Sequence, residues 1–163
     1  APATFYIVAL FFQGLAAWQA FSFSLHFSAY PNVKLLSTLY IVGVIIAALL
    51  HSFFFEIPTG SPDGNWVFWH SNQWTALFFT FFMFVAGWNF AWQFLKGITK
   101  LDGLLKIRSF FFSLGAFILP FAAFYYFGAQ ELIHIYLAFA FAISGLAFFA
   151  IGNIIFGILQ KKP

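Results

Sequence analysis

The chain has 163 residues, of which 63% are hydrophobic and 7% are charged, whereas soluble domains carry about 25% charged residues. This composition excludes a soluble globular protein, since most of the surface must face an apolar solvent, and it predicts an integral membrane protein in a lipid bilayer. The formal net charge of +3 comes from basic residues that lie where membrane topology requires them, so it does not indicate nucleic-acid binding. Cysteine is absent, which excludes disulfides and thiolate metal sites.

Five apolar segments are each long enough to cross a hydrocarbon core about 30 Å thick, which needs roughly 20 helical residues. Prolines, glycines and charged residues separate them. The predicted transmembrane helices cover about 4–28, 33–55, 70–95, 109–127 and 132–159. With an outer loop at 56–69 and a basic inner loop at 96–108, they predict one all-α domain, a polytopic bundle of five helices.

The charges support five crossings, because with that number all seven basic residues fall on one side of the bilayer. These residues are Lys34, Lys96, Lys100, Lys106, Arg108, Lys161 and Lys162. Three of the four acidic residues fall on the opposite side, and only Asp102 lies among the basic residues. Because cytoplasmic loops are rich in Lys and Arg, the N-terminus is predicted to be outside and the C-terminus inside.

Each predicted helix carries a stripe of small or weakly polar residues at three- or four-residue steps. The first helix has Gln13, Ala17, Ala20, Ser24 and Ser28, and the last has His134, Ala138, Ala142, Gly145 and Gly152. Such stripes let helices approach closely in lipid. They favour packing with partner helices, from other membrane subunits or from a second copy of the chain. Gln13, Asn89 and Asn153 are polar residues inside the spans, and interhelical hydrogen bonds are their expected role.

Three histidines are predicted to lie near the outer ends of their helices and to face the bundle interior. Their depths agree within about 6 Å at 1.5 Å per residue, so His51, His70 and His134 form a candidate metal site. Three imidazoles around zinc or iron, with water as the fourth ligand, would generate hydroxide near neutral pH. The candidates for relaying the proton, and thus for a catalytic role, are Glu131, Glu56 and Asp63. The alternative is that the histidines are structural, hydrogen-bonded at the level of the lipid headgroups.

Two families share part of this histidine pattern. Four histidines in five helices resemble the dihaem cytochrome b anchors of fumarate reductases, but those anchors carry a histidine pair at each membrane face, and here only His26 lies near the basic side. A histidine late in the second helix and another in the last helix resemble the alkaline ceramidase and progestin-receptor-like membrane hydrolases. Those proteins have seven spans and paired histidines in the last helix, which this chain lacks. We assign the chain to neither family.

The preferred function is non-catalytic: an integral membrane subunit, or a small apolar-ligand-binding protein, that packs with partner helices. The chain is small, has almost no soluble part and carries no charge at mid-membrane. A quinone, a pigment and a lipid are the candidate ligands. The first alternative is a membrane-embedded zinc or iron enzyme that acts on a lipid-like substrate. The second is a membrane anchor subunit for b-type haem or quinone.

Overall fold

A computed structural model of the chain consists mainly of five long α-helices, and it describes residues 2–54, 59–60, 64, 67–68, 72–129 and 131–159. The helices are α1 (Pro2–Phe27), α2 (Val33–Phe53), α3 (Gln73–Ile98), α4 (Gly103–Phe127) and α5 (Leu132–Leu159). Between α2 and α3, two short strands pair antiparallel, β1 (Thr59–Gly60) and β2 (Val67–Phe68). All five helices are long and apolar enough to span a membrane, which confirms the predicted all-α bundle of five transmembrane helices.

The helices pack mainly with their neighbours in sequence. α1, α2 and α3 contact one another, α4 packs against α3, and α5 packs against α4. Within the described part of the chain, the backbone of α1 does not closely approach that of α4 or α5, although side chains of α1 share the core with Phe127 of α4. The arrangement therefore leaves an open side between α1 and the α4–α5 pair.

Hydrogen bonds between helices hold the first three helices together. The Trp18 Nε1–H donates to Ser37 Oγ at 2.8 Å, and the Ser37 hydroxyl donates to Ser22 Oγ at 3.1 Å. The Tyr40 hydroxyl donates to the carbonyl oxygen of Phe82 at 2.6 Å and so joins α2 to α3. Polar side chains within hydrocarbon have no water to bond with, so they form hydrogen bonds across helices. Such bonds determine which helix faces pack together.

Small residues allow α4 and α5 to pack closely. A Cβ atom placed on Gly115 would lie 2.7 Å from the carbonyl oxygen of Gly145, so no side chain fits between the two backbones there. On the other face of α4, the Ser113 hydroxyl donates to the Ala91 carbonyl of α3 at 2.9 Å. Gly115 and Ser113 of α4 and Gly145 of α5 thus serve contacts within this chain.

The predicted bounds of the basic inner loop, 96–108, are wrong. The structure leaves only residues 99–102 between α3 and α4. α3 continues to Ile98 instead of ending near 95, and α4 begins at Gly103 instead of 109. The charges at Lys106 and Arg108 had suggested a loop. Long basic side chains can, however, reach headgroups and water from a helical backbone, so charge marks the membrane surface rather than the helix end.

The predicted start of α3 at residue 70 is also wrong, since the helix begins at Gln73. Asn72 caps it, its side-chain oxygen accepting a hydrogen bond from the Trp74 backbone N–H at 3.0 Å. This is the usual way in which an Asn side chain satisfies a free N–H at a helix start. The predicted outer loop at 56–69 contains the pair of strands β1 and β2.

The two ends of the bundle differ in chemistry. The basic end is formed by the last turns of α1 and α3 and the first turns of α2 and α4, and it carries Lys34, Lys96, Lys100 and Lys106. The histidine end carries His51, Glu131 and His134. Placing the basic end on the cytoplasmic side stays a prediction.

Candidate functional site

His51 is completely buried in the last turn of α2. Its ring packs against the rings of Phe79 and Phe127, with centroid distances of 6.3 and 5.7 Å. Its Nδ1 lies 3.5 Å from Thr75 Oγ1, and the Thr75 hydroxyl itself donates to the Asn72 carbonyl at 2.8 Å. Because a hydroxyl has one hydrogen, the Thr75 hydroxyl that donates to Asn72 is available to the imidazole as an acceptor.

His134 lies in the first turn of α5 and is half-buried. Its ring stacks near Tyr125, with 6.2 Å between centroids and 24° between planes, and its backbone N–H donates to the Glu131 carbonyl at 3.0 Å. Glu131 is exposed. A cavity of about 200 Å³ beside His134 is lined also by Gln73 and Thr80 of α3.

Different faces of α3 border His51 and the cavity beside His134. Thr75 and Phe79 face His51, whereas Gln73 and Thr80 line the cavity at His134. At 3.6 residues per turn these two pairs of residues point roughly 130° apart around the helix. The surroundings of the two imidazoles therefore involve different sides of α3.

The proposed metal site is only partly described. Among the described residues, no group of three or more histidine, aspartate and glutamate side chains is placed to hold a metal ion. His70, Glu56 and Asp63 lie outside the described residues, so the site of His51, His70 and His134 stays a prediction. A role for zinc, iron or haem b there stays a prediction as well.

An apolar groove runs along the open side of the bundle, between α1 and α5, with α4 as its floor. It contains two cavities of about 340 Å³ each, one nearer the histidine end and one at mid-helix, where α3 also contributes. Alanines dominate the lining of both: Ala9, Ala16, Ala17, Ala20, Ala86, Ala116, Ala122, Ala123, Ala138 and Ala142. We call this feature the alanine groove.

Gln13 lies where the two cavities of the alanine groove meet, since it lines both, as do Leu119 and Ala123. Its side chain is exposed to the groove and forms no hydrogen bond with the described residues. It lies within the apolar, membrane-spanning part of α1. An amide group thus lies within the apolar layer without a hydrogen-bond partner among the described residues.

The other two amides singled out from the sequence, Asn89 and Asn153, have partners. Asn89 Oδ1 accepts a hydrogen bond from Gln93 Nε2 at 3.3 Å within α3, and Asn153 Oδ1 accepts one from Arg108 Nη2 at 3.0 Å between α5 and α4. The expected interhelical bond is therefore found at Asn153. Gln13 is the exception among the three.

Sequence reasoning missed the alanine groove because it treated each stripe of small residues as a packing face. In the structure Ala138 is buried beneath the groove and Ala142 lines its wall, while Gly145, in the same stripe, packs against α4. The available signal was composition: the groove portions of the stripes contain alanine, and the close helix contact contains glycine. Gln13 amid alanines was the second signal.

The five apolar helices make this chain a multi-pass membrane protein. Comparisons with models of protein families, with curated proteins and with solved structures found no match to it. Its chemistry therefore has to be inferred from its own residues.

Proposed function

We propose that the chain is an integral membrane protein that binds a small apolar ligand in the alanine groove. The observation that carries this proposal is the amide of Gln13, which lies at the junction of the two cavities and forms no hydrogen bond with the described residues. The ligand is expected to be largely hydrocarbon and to carry one carbonyl or hydroxyl group that pairs with Gln13. Quinones, polyene pigments with an oxygen function and single-chain lipids belong to this class.

The size and lining of the groove support a small ligand. Each cavity has a volume of about 340 Å³, and small-molecule sites typically span about 300–1,000 Å³. Such sites are mainly apolar with a few polar groups that fix orientation, and here the first cavity offers Gln13 and Tyr126 among apolar side chains. A transmembrane helix is about 10 Å across with its side chains, so it does not fit inside a space of this size.

The free energy that favours a ligand at Gln13 is the cost of leaving an amide without a hydrogen-bond partner in hydrocarbon. Leaving such a group unpaired costs roughly 1–3 kcal/mol on protein-based scales, and more where water is absent. A ligand oxygen that accepts a hydrogen bond from Gln13 removes this cost only when the ligand is bound. The same contact would fix the ligand's position along an otherwise uniform apolar groove.

The test narrows the alanine groove with a larger side chain and measures whether a co-purified ligand is lost. Ala123→Leu places a larger side chain against both cavities, and Ala150→Leu makes the same change at an exposed position of α5 that lines neither. Each protein is purified in mild detergent and extracted with organic solvent, and the extract is analysed by mass spectrometry. We expect one amphiphile, near one per chain, in the wild type and in Ala150→Leu, and its loss from Ala123→Leu.

Two outcomes would contradict ligand binding. Identical extracts from all three proteins, containing only bulk lipid, would leave the groove without a ligand. A second polypeptide that co-purifies in fixed ratio and is lost from Ala123→Leu would instead assign the groove to a partner subunit.

A further inference from the structure

We propose a second binding site, at the basic end, for the phosphate headgroup of an anionic phospholipid. A cavity of about 350 Å³ lies between the end of α1 and the last turns of α3. Its polar lining residues are Ser28, Gln93, Lys96 and Lys100, and Phe27 and Leu101 are among its apolar ones. We call it the lysine pocket. It shares no lining residue with the alanine groove, so it is independent of the ligand proposed there.

The charge of the lysine pocket suits an anion. No acidic residue lines it, and neither Lys96 nor Lys100 forms an ion pair with the described residues. Asp102, the acidic residue nearest in sequence, is exposed and does not line the pocket. The carboxyl ends of α1 and α3 contribute about −0.5 each, against +2 from the lysines, which leaves a net charge of about +1.

The hydrogen-bond donors of the pocket can be counted. The Ser28 hydroxyl is used within α1, where it lies 3.0 Å from the Ser24 carbonyl and 3.1 Å from the Leu25 carbonyl. Gln93 uses one amide hydrogen for Asn89 and retains a second. With three N–H donors on each ammonium group, the two lysines and Gln93 can serve several phosphate oxygens.

The surface next to the pocket suits an acyl chain. Phe27 lines the pocket, and Phe23 lies one turn farther into the membrane on α1; these side chains are 67% and 56% exposed. The Phe27 ring faces that of Phe94 at 6.5 Å, and the Phe23 ring faces that of Phe90 at 6.2 Å, so aromatic rings from α1 and α3 form one continuous apolar surface. Positive charge at headgroup level above an exposed apolar strip fits a phospholipid better than a free phosphate ion.

The test removes two charges inside the pocket and, as a control, two outside it. The variant Lys96→Gln/Lys100→Gln is compared with Lys34→Gln/Lys106→Gln, which removes the same charge from the same end. All four lysines are exposed, so packing is preserved in both. Binding of phosphatidylglycerol to detergent-purified protein is measured by native mass spectrometry, with phosphatidylcholine as the neutral reference.

We expect the pocket variant to bind phosphatidylglycerol about 30-fold more weakly, since each lysine near an anionic lipid contributes about 1 kcal/mol. The control variant should lose less than a third of that effect on a logarithmic scale, and phosphatidylcholine binding should not change. Equal losses in both variants would show unspecific attraction and overturn the site.

Inorganic phosphate distinguishes the source of the anion. If millimolar phosphate alone occupies the pocket and displaces phosphatidylglycerol, the site takes a free anion and the assignment to a lipid is wrong. If phosphate fails to compete while phosphatidylglycerol binds, the apolar strip of Phe23 and Phe27 contributes to affinity. In that case the single substitution Phe23→Ala should weaken phosphatidylglycerol binding relative to the wild-type protein.

Discussion

Arg108 of α4 and Asn153 of α5 form the hydrogen bond that joins the last two helices near the basic end, with 3.0 Å between Nη2 and Oδ1. The guanidinium group also lies over the rings of Phe112 and Phe156, at 5.0 and 4.6 Å from their centroids. Its buried Nε has no hydrogen-bond partner in the described part of the chain. The charged side chain of Arg108 therefore interacts with one amide and with two aromatic rings.

Asn153→Ala should lower the free energy of unfolding by about 1.5 kcal/mol, the lower end for a hydrogen bond to a charged group, because the pair is exposed. Arg108→Lys should cost at least as much, since lysine keeps the charge but loses the planar contact with both rings. Thermal unfolding in detergent measures both, and Lys106→Gln is the control at a neighbouring exposed position. Unchanged stability of Asn153→Ala would mean that the bond does not join the helices in the membrane protein.

Gly145→Ala should destabilise the α4–α5 contact by about 1–3 kcal/mol, as overpacking in a filled interior does. A Cβ atom at Gly145 would lie 2.7 Å from Leu119 Cγ. Gly157→Ala, near the end of α5, meets nothing within 4 Å and should be neutral or slightly stabilising, because alanine is the better helix former. Equal melting temperatures for the two variants would show that α5 does not pack as closely as described.

Gln13→Leu should weaken binding of a quinone probe, decyl-benzoquinone, by about 3- to 30-fold, the effect of losing an intramembrane hydrogen bond worth about 0.6–2 kcal/mol. Without ligand, the variant should be at least as stable as the wild type, since an unpartnered amide has been removed. Equilibrium dialysis measures the binding and thermal unfolding the stability. A loss of stability in the ligand-free variant would indicate that Gln13 has a structural partner instead.

His51→Ala should lower the free energy of unfolding by about 2–4 kcal/mol, because it empties a fully buried position between Phe79 and Phe127. If packing is its only role, the loss is the same with and without a chelator. Metal analysis and an absorption spectrum of protein purified without a histidine tag give the second readout. Near-stoichiometric zinc, iron or haem, lost in His51→Ala, His70→Ala and His134→Ala, would support the metal or haem hypotheses.

Hydropathy and charge sufficed to predict the architecture. The five spans follow from apolar segments of the right length, and the grouping of basic residues follows from the number of crossings. Helix ends were harder, because Lys106 and Arg108 are charged yet lie inside α4. A periodic pattern does not reveal where a helix extends past the hydrocarbon.

The candidate sites depend on which helices are neighbours, and that information is not local. Gln13 was recognised as an intramembrane amide, but that no described residue pairs with it depends on the distance between the backbones of α1 and of α4 and α5. In the same way, similar depths suggested that His51 and His134 converge; that convergence stays a prediction, and different faces of α3 border His51 and the cavity beside His134. The depth of a residue along its helix follows from its sequence position. The direction in which its side chain points within the bundle is known only once the packing of the helices is known.

The order of helix contacts also bears on how the chain is made. Each helix packs against helices that precede it in the sequence and are therefore synthesised before it. α2 packs against α1, α3 packs against α1 and α2, α4 packs against α3, and α5 packs against α4. Among the described helices, each one after the first can dock as soon as it leaves the ribosome and enters the bilayer, without waiting for a later segment. Insertion and folding can therefore proceed together from the N-terminus, and premature termination before α5 would leave the contacts among α1 to α4 intact.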